Sequence, residues 1–193
     1  HYLPNGSDTA SFRKPCAPPP EYAAIPAPRA VVVGAFTTWY DMDLVVKTAR
    51  LRPNISFCLI GPGNAPTALP RNVFVLGSRP YEQIPAYTQH ASVGLIPYKD
   101  WPRIRRVERP LKFFDYLASG LPIVSVPYGA MTKMSPYALF GASPAEFAEA
   151  IDAALTYTGE DRARLREAAV QFSWTRILER FDAILAQQGF EIG

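Results

Sequence analysis

The chain has 193 residues, 48% hydrophobic and 19% charged, with a formal net charge of +3. That length and balance describe one globular domain with a real core and exclude a disordered chain. The mild charge excludes an overall nucleic-acid footprint, and no apolar run is long enough to form a membrane-spanning helix.

Residues 1–29 carry Pro4, Pro15, Pro18, Pro19, Pro20, Pro26 and Pro28 without sustained periodicity. They read as an extended, proline-rich linker or arm laid over a surface, outside the core. A chain opening on such a linker is expected to be cut from a longer protein. Regular patterning starts at Ala30 and defines a domain over 30–193. Ala30–Gly34 is a short apolar run ending in glycine, the mark of a buried parallel strand. Asp41–Arg52 follows as a helix with Leu44, Val45, Thr48 and Leu51 on one face. Ile55–Ile60 and Asn72–Leu76 are the second and third strands, closed by glycines at 61, 63 and 77. Tyr81–His90 reads as a short helix and Ser92–Ile96 as a fourth strand.

The stretch from Glu108 to Ser125 is the most informative in the chain. Pro110 suits a first helical turn, and Leu111, Phe114, Leu117 and Ala118 mark its buried face. Lys112 and Asp115, three residues apart, share the opposite side. Gly120 stops the helix, Pro122 prevents its continuation, and Pro122–Val126 is the fifth strand. A brief sixth is expected near Ala138–Phe140. The remainder is helical: Pro144–Thr156, Asp161–Phe172, and a last helix capped by Ser173. That helix carries the stripe Trp174, Ile177, Leu178, Phe181, Ile184 and Leu185, suited to core packing or to docking on a neighbouring domain.

Strands alternating with helices at this spacing predict a Rossmann-like, doubly wound parallel α/β sheet of about six strands, with helices on both faces and a helical C-terminal segment. Such sheets bind ligands beyond the carboxyl ends of their strands. Arg103, Arg105, Arg106, Arg109 and Lys112 cluster there, beside a helix N-terminus. The cluster is either a solvated basic loop or a clamp for phosphate, which both the helix end and arginine forks favour. An acid one turn on can hold hydroxyls. In the first loop, Gly34-Ala-Phe-Thr-Thr-Trp-Tyr-Asp41, the glycine serves either a turn or a close backbone approach to a ligand. No dinucleotide fingerprint, Walker loop, nucleophile elbow or metal-ligand spacing is present. His90 reads as structural, and Cys16 and Cys58 as reduced thiols of a cytosolic protein. The chain has the features of a binding half without a catalytic dyad.

Pro110-Leu-Lys-Phe-Phe-Asp-Tyr-Leu-Ala-Ser-Gly-Leu-Pro-Ile-Val124 resembles the donor-binding motif in the C-terminal domain of GT-B glycosyltransferases. Leu59–Gly63, Asn72–Gly77, Tyr87 through Gly94–Tyr98 and the segment Leu3–Phe12 are also similar to that family. The resemblance implies that Lys112, Arg109 and Gly34 serve the donor diphosphate and that Asp115 holds the ribose. It also implies that Ser78, Arg79 and Tyr98 flank the base, with Phe36 and Glu108 near the sugar. It implies a nucleotide-sugar donor with UDP as the expected nucleotide, a saccharide or lipid-linked acceptor, and no metal or other cofactor. No nucleic-acid partner is implied. Two departures stand out. Val107 occupies the place of the family's first paired acid, and Asp41 and Asp43 stand where many members carry a lysine. They bring the chain closer to the xanthan glucuronosyltransferase type and count against a retaining mechanism. Acceptor site and catalytic base are expected in an N-terminal domain outside this sequence, so no catalytic residue is expected here. A GT-B-type epimerase half and a non-catalytic donor-binding subunit are the alternatives. The expected location is the cytoplasm, with peripheral membrane association open to the full-length enzyme.

Overall fold

The computed structural model describes residues 1, 3, 5–64, 66–100, 102, 104 and 110–188. Its frame is a six-stranded, wholly parallel sheet in the order β3-β2-β1-β4-β5-β6. The strands are β1 (Arg29–Val33), β2 (Ser56–Ile60), β3 (Val73–Gly77), β4 (Val93–Ile96), β5 (Ile123–Ser125) and β6 (Leu139–Phe140). Each lies within a residue or two of its expected place. The helices are α1 (Thr9–Arg13), α2 (Met42–Leu51), α3 (Ile84–Gln89), α4 (Leu111–Ser119), α5 (Pro144–Leu155), α6 (Gly159–Ala169) and α7 (Trp174–Gln187).

Right-handed crossovers fix which face each helix covers. The chain moves one way from β1 to β2 and the other way from β3 through β4 to β5. Accordingly α2 packs with α5 on one face, while α4 gathers α1, α3 and α6 on the other. β2 is buried at every position, as a strand covered on both faces must be. Strand order reverses between β1 and β4, which pair only through Ala30–Val93 and Val31–Gly94. Beyond that register the two strands part and open a crevice.

Tyr116 of α4 fills the crevice. It is 0% exposed, and its Oη accepts the Val33 N–H at 3.0 Å. The ring lies over Gly94, where a Cβ would sit 2.5 Å from Tyr116 Cδ2. α4 ends as expected: Gly120 takes φ +67° and donates its N–H to the Leu117 carbonyl, while Leu121 N–H reaches the Tyr116 carbonyl.

Four expectations change. The α7 stripe is not core, since Ile177 is buried whereas Trp174, Leu178 and Phe181 are exposed. Pro110 is the N-cap of α4, in extended conformation, and the helix starts one residue later. Leu111 is 49% exposed, whereas Phe113 and Asp115 are buried. The physical reason is that α4 lies between the sheet and the layer of α1 and α6, so beyond its first turn it has no solvent face. The arm also contributes to the core: Phe12, Tyr22 and Ile25 are buried in it, and α1 packs on α4. Phe12 and Tyr22 are large enough to anchor a segment that lacks periodicity. Arg103, Arg105, Arg106, Val107, Glu108 and Arg109 lie outside the described residues.

Gly94→Ala should destabilise the fold by about 1–3 kcal/mol, because the added methyl overpacks a filled site. The urea midpoint of the variant checks this, and an unchanged midpoint would contradict the packing described.

Candidate functional site

The candidate site lies at the carboxyl edge of the sheet, over the crevice between β1 and β4. α4 points its N-terminus there with no side-chain cap, whereas α2, α5, α6 and α7 are capped by Asp41, Ser143, Thr158 and Ser173. The first N–H groups of a helix lack intrahelical acceptors and carry the positive end of its dipole. At α4 Phe113 N–H turns back to the Pro110 carbonyl at 2.9 Å, and among the described residues no side chain caps the N–H groups of Leu111 and Lys112.

Lys112 stands in this first turn. Its ammonium donates a hydrogen bond to Tyr40 Oη and lies 4.4 Å from the centroid of the Tyr40 ring and 4.8 Å from that of Tyr98. The two tyrosines meet edge to face at 5.3 Å and are joined by an antiparallel bridge, which folds the loop after β1 across the end of β4. Asp41 N–H to the Pro97 carbonyl and Lys99 N–H to the Trp39 carbonyl hold the same crossing. Tyr40 Oη donates in turn to the Val33 carbonyl. Phe36 packs on Tyr40 at 5.5 Å. The backbone conformation requires glycine at Gly34, and the missing Cβ leaves room for the lysine. Its φ is +140°, and a Cβ there would lie 2.9 Å from Lys112 Nζ.

Burial pushes the Lys112 amine down to about 7, with the Asp115 charge working the other way. Two aromatic faces offer about 0.5–2 kcal/mol each to a cation, against several kcal/mol for removing an ammonium from water. Desolvation therefore wins, and the lysine is poised to gain an anion.

Asp115 is one turn deeper and 7% exposed. Its Oδ1 accepts from Ser7 Oγ at 2.6 Å and from Tyr81 Oη at 3.2 Å. Burial raises its pKa to about 6, and the two hydroxyls oppose that rise. A desolvated amine and a desolvated carboxyl within one turn make this edge of the sheet a candidate ligand site.

The structure therefore brings Lys112, Gly34, Phe36 and Tyr98 together, with Asp115 below them. Ser78 is exposed just beyond β3. Arg79 is engaged elsewhere: its guanidinium donates to Glu21 at 2.6 Å and to Tyr87 Oη at 2.7 Å, and that hydrogen bond holds the Glu21 carboxyl below its usual range. Arg109 and Glu108 fall outside the described residues. Tyr40, Ser7 and Tyr81 escaped sequence reasoning. Tyr40 had only its place in the first loop to mark it, because its pairing with Tyr98 is long-range. Among the described residues, no cluster of three or more His, Cys, Asp or Glu residues could hold a metal ion, and no helix is long and apolar enough to cross a membrane.

The sequence profile of the glycosyl transferases group 1 family matches residues 27–157. A Bacillus subtilis protein named for teichuronic acid biosynthesis, the glycosyltransferase TuaH, is 27% identical over 140 residues, covering 67% of this chain and 35% of the relative. Among solved structures, Anabaena Alr3699/HepE in complex with UDP-glucose superposes with a TM-score of 0.72 at 13% identity, over 96% of this chain and 57% of that one. Sucrose-phosphate synthase from Thermosynechococcus elongatus gives 0.73 at 18% identity, over 97% and 52%. The chain thus spans about a third to just over half the length of these relatives.

Lys112→Met removes the amine and keeps the chain's bulk. With a folded pKa near 7 against an ordinary 10.5, native Lys112 withholds a proton that the unfolded chain binds. Wild-type stability relative to the variant should therefore fall as pH drops from about 10.5 to about 7, then level off. Urea unfolding of both proteins across that range checks it; a constant difference would contradict the desolvation.

Proposed function

The chain belongs to the glycosyl transferases of group 1, and on that premise we propose that it is the donor half of a sugar transferase: it binds a nucleoside diphosphate sugar at the carboxyl edge of the sheet, over the Tyr116-filled gap between β1 and β4. The observation that carries this reading is the pairing of an uncapped α4 N-terminus with Lys112, both directed at the switch point of a parallel sheet. In this reading a diphosphate accepts from the uncapped N–H groups of Leu111 and Lys112 and from the ammonium, which leaves the Tyr40–Tyr98 pair as it gains a full charge partner. Asp115, one turn away, suits ribose hydroxyls, because a carboxylate accepts from two neighbouring O–H groups. Gly34 has no Cβ to intrude on the space beside Tyr40 Oη and Lys112 Nζ, which keeps the backbone at the end of β1 open to the proposed diphosphate.

UDP is the nucleotide we assign, supported by the UDP-glucose complex of the Anabaena protein. In this reading Ser78, exposed beyond β3, is assigned to the base. Arg79 would reach the base only by giving up Glu21. Lys112 and the helix amides supply the positive charge that the diphosphate needs, so the reading calls on no metal. The acceptor is a saccharide or a lipid-linked saccharide, in keeping with the named role of the Bacillus relative in teichuronic acid biosynthesis. The acceptor site and the chemical step belong, in this reading, to the part of the relatives that the chain does not span.

Calorimetric titration with UDP tests the proposal. Lys112→Ala should weaken UDP binding by about ten- to hundredfold, the value of a charge-assisted phosphate contact, and leave uridine binding unchanged. Equal UDP affinity in variant and wild type would place the diphosphate elsewhere.

A further inference from the structure

The surroundings of Asp115 contain a device that the diphosphate site does not require. Two hydroxyls from distant parts of the chain converge on one of its oxygens, Oδ1. Among the described residues, neither is hydrogen-bonded to Oδ2. An aspartate carboxylate turns freely about its last bond when its donors are interchangeable waters. Two protein donors on the same oxygen remove that freedom and set which oxygen faces outward.

The first donor is held rigidly. Ser7 is 3% exposed, and its backbone is bound on both sides. Its N–H donates to the Phe172 carbonyl at 3.0 Å, and its own carbonyl accepts from Trp174 N–H at 3.3 Å, with a parallel bridge to Ser173 between them. The residue before it, Gly6, passes so near Trp174 that a Cβ would come within 2.8 Å of the indole. The start of α7 therefore fixes the Ser7 backbone, from which the hydroxyl reaches Asp115. The second donor, Tyr81, follows β3 in a short 3-10 turn (Tyr81–Gln83), and its half-exposed ring leans on Phe12 at 5.5 Å. Both hydroxyls lower the cost of burying the carboxylate, but a role limited to that would not require both to meet the same oxygen.

We propose that Ser7 and Tyr81 are positioning residues for ribose recognition: they pin Oδ1 of Asp115 so that Oδ2 meets the vicinal hydroxyls of the nucleotide. This rests on the nucleotide reading above. The arm and the turn after β3 then decide how strongly the site distinguishes a ribose from a deoxyribose, although neither residue touches the phosphates.

Calorimetry on the wild type, Ser7→Ala and Tyr81→Phe, each titrated with UDP and with 2′,3′-dideoxy-UDP, tests it. The wild type should prefer UDP by about tenfold or more, as expected for hydroxyls bonded to a carboxylate. Each variant should lose about threefold or more of that preference, while its affinity for the dideoxy compound stays within about twofold of wild type. Variants that retain the full preference overturn the proposal. So does an equal loss for both compounds, which marks a purely structural role, or tighter UDP binding, which marks hydroxyls that compete with the ribose. A wild type that binds both compounds equally overturns it too, while leaving the diphosphate reading standing. A wild type that binds neither overturns the nucleotide reading and this inference with it. Should Ser7→Ala fail to fold, Tyr81→Phe, which keeps a half-exposed ring in place, decides the matter alone.

Discussion

The contact on which the rest of this molecule depends is that between Tyr116 and the gap where β1 and β4 part. A parallel sheet whose strand order reverses must leave an unpaired strand edge at the reversal, and an unpaired buried N–H costs about 1–3 kcal/mol. Here the Val33 N–H is met by the phenol oxygen, and the ring occupies space that Gly94 leaves vacant. The same side chain thus closes the sheet and fixes the depth and tilt of α4. The positions of Lys112 and Asp115 follow, one a turn above the other along the same helix. The function is seated on a packing event.

The electrostatics of the helix run against stability. Lys112 is held down toward neutrality and Asp115 is pushed up, each mainly by loss of water. Neither is well compensated by the other. Aromatic faces, a phenol and a serine hydroxyl hold the two groups in place without satisfying their charge. A chain selected for stability alone would carry apolar residues at both positions. Their presence fits the proposed donor reading, in which a bound ligand completes the arrangement, in line with the general tendency of binding sites to be the strained parts of a fold.

Much of this was legible in the sequence, for identifiable reasons. Strands buried on both faces write themselves as short apolar runs, so Val31–Val33 and Phe57–Ile60 stood out, and Gly120-Leu-Pro marks the end of α4 without ambiguity. The family resemblance, carried by the residues around α4, is borne out by the family match. Periodicity failed where its assumption failed: it supposes one wet face per helix, and α4 has almost none, so Leu111 and Phe113 exchanged roles. The proline-rich arm looked peripheral because three anchors, Phe12, Tyr22 and Ile25, follow no period. Pairings across the fold left no linear trace. Ser7 and Asp115 are 108 residues apart, and nothing near Arg79 announces that Glu21 will occupy it.

The glycines at the strand ends extend the site beyond its own contacts. A Cβ on Gly61 would strike the carbonyl of Gly34, and one on Gly63 the carbonyl of Phe36, so the loops after β1 and β2 nest without spacers. A substitution on the second loop would thus be transmitted, backbone to backbone, into the one that faces the lysine. Genetically, the target for loss of function is larger than the surface a ligand covers. Alleles at Gly61, Gly63 or Gly94 would resemble binding-site lesions while lying beneath the site.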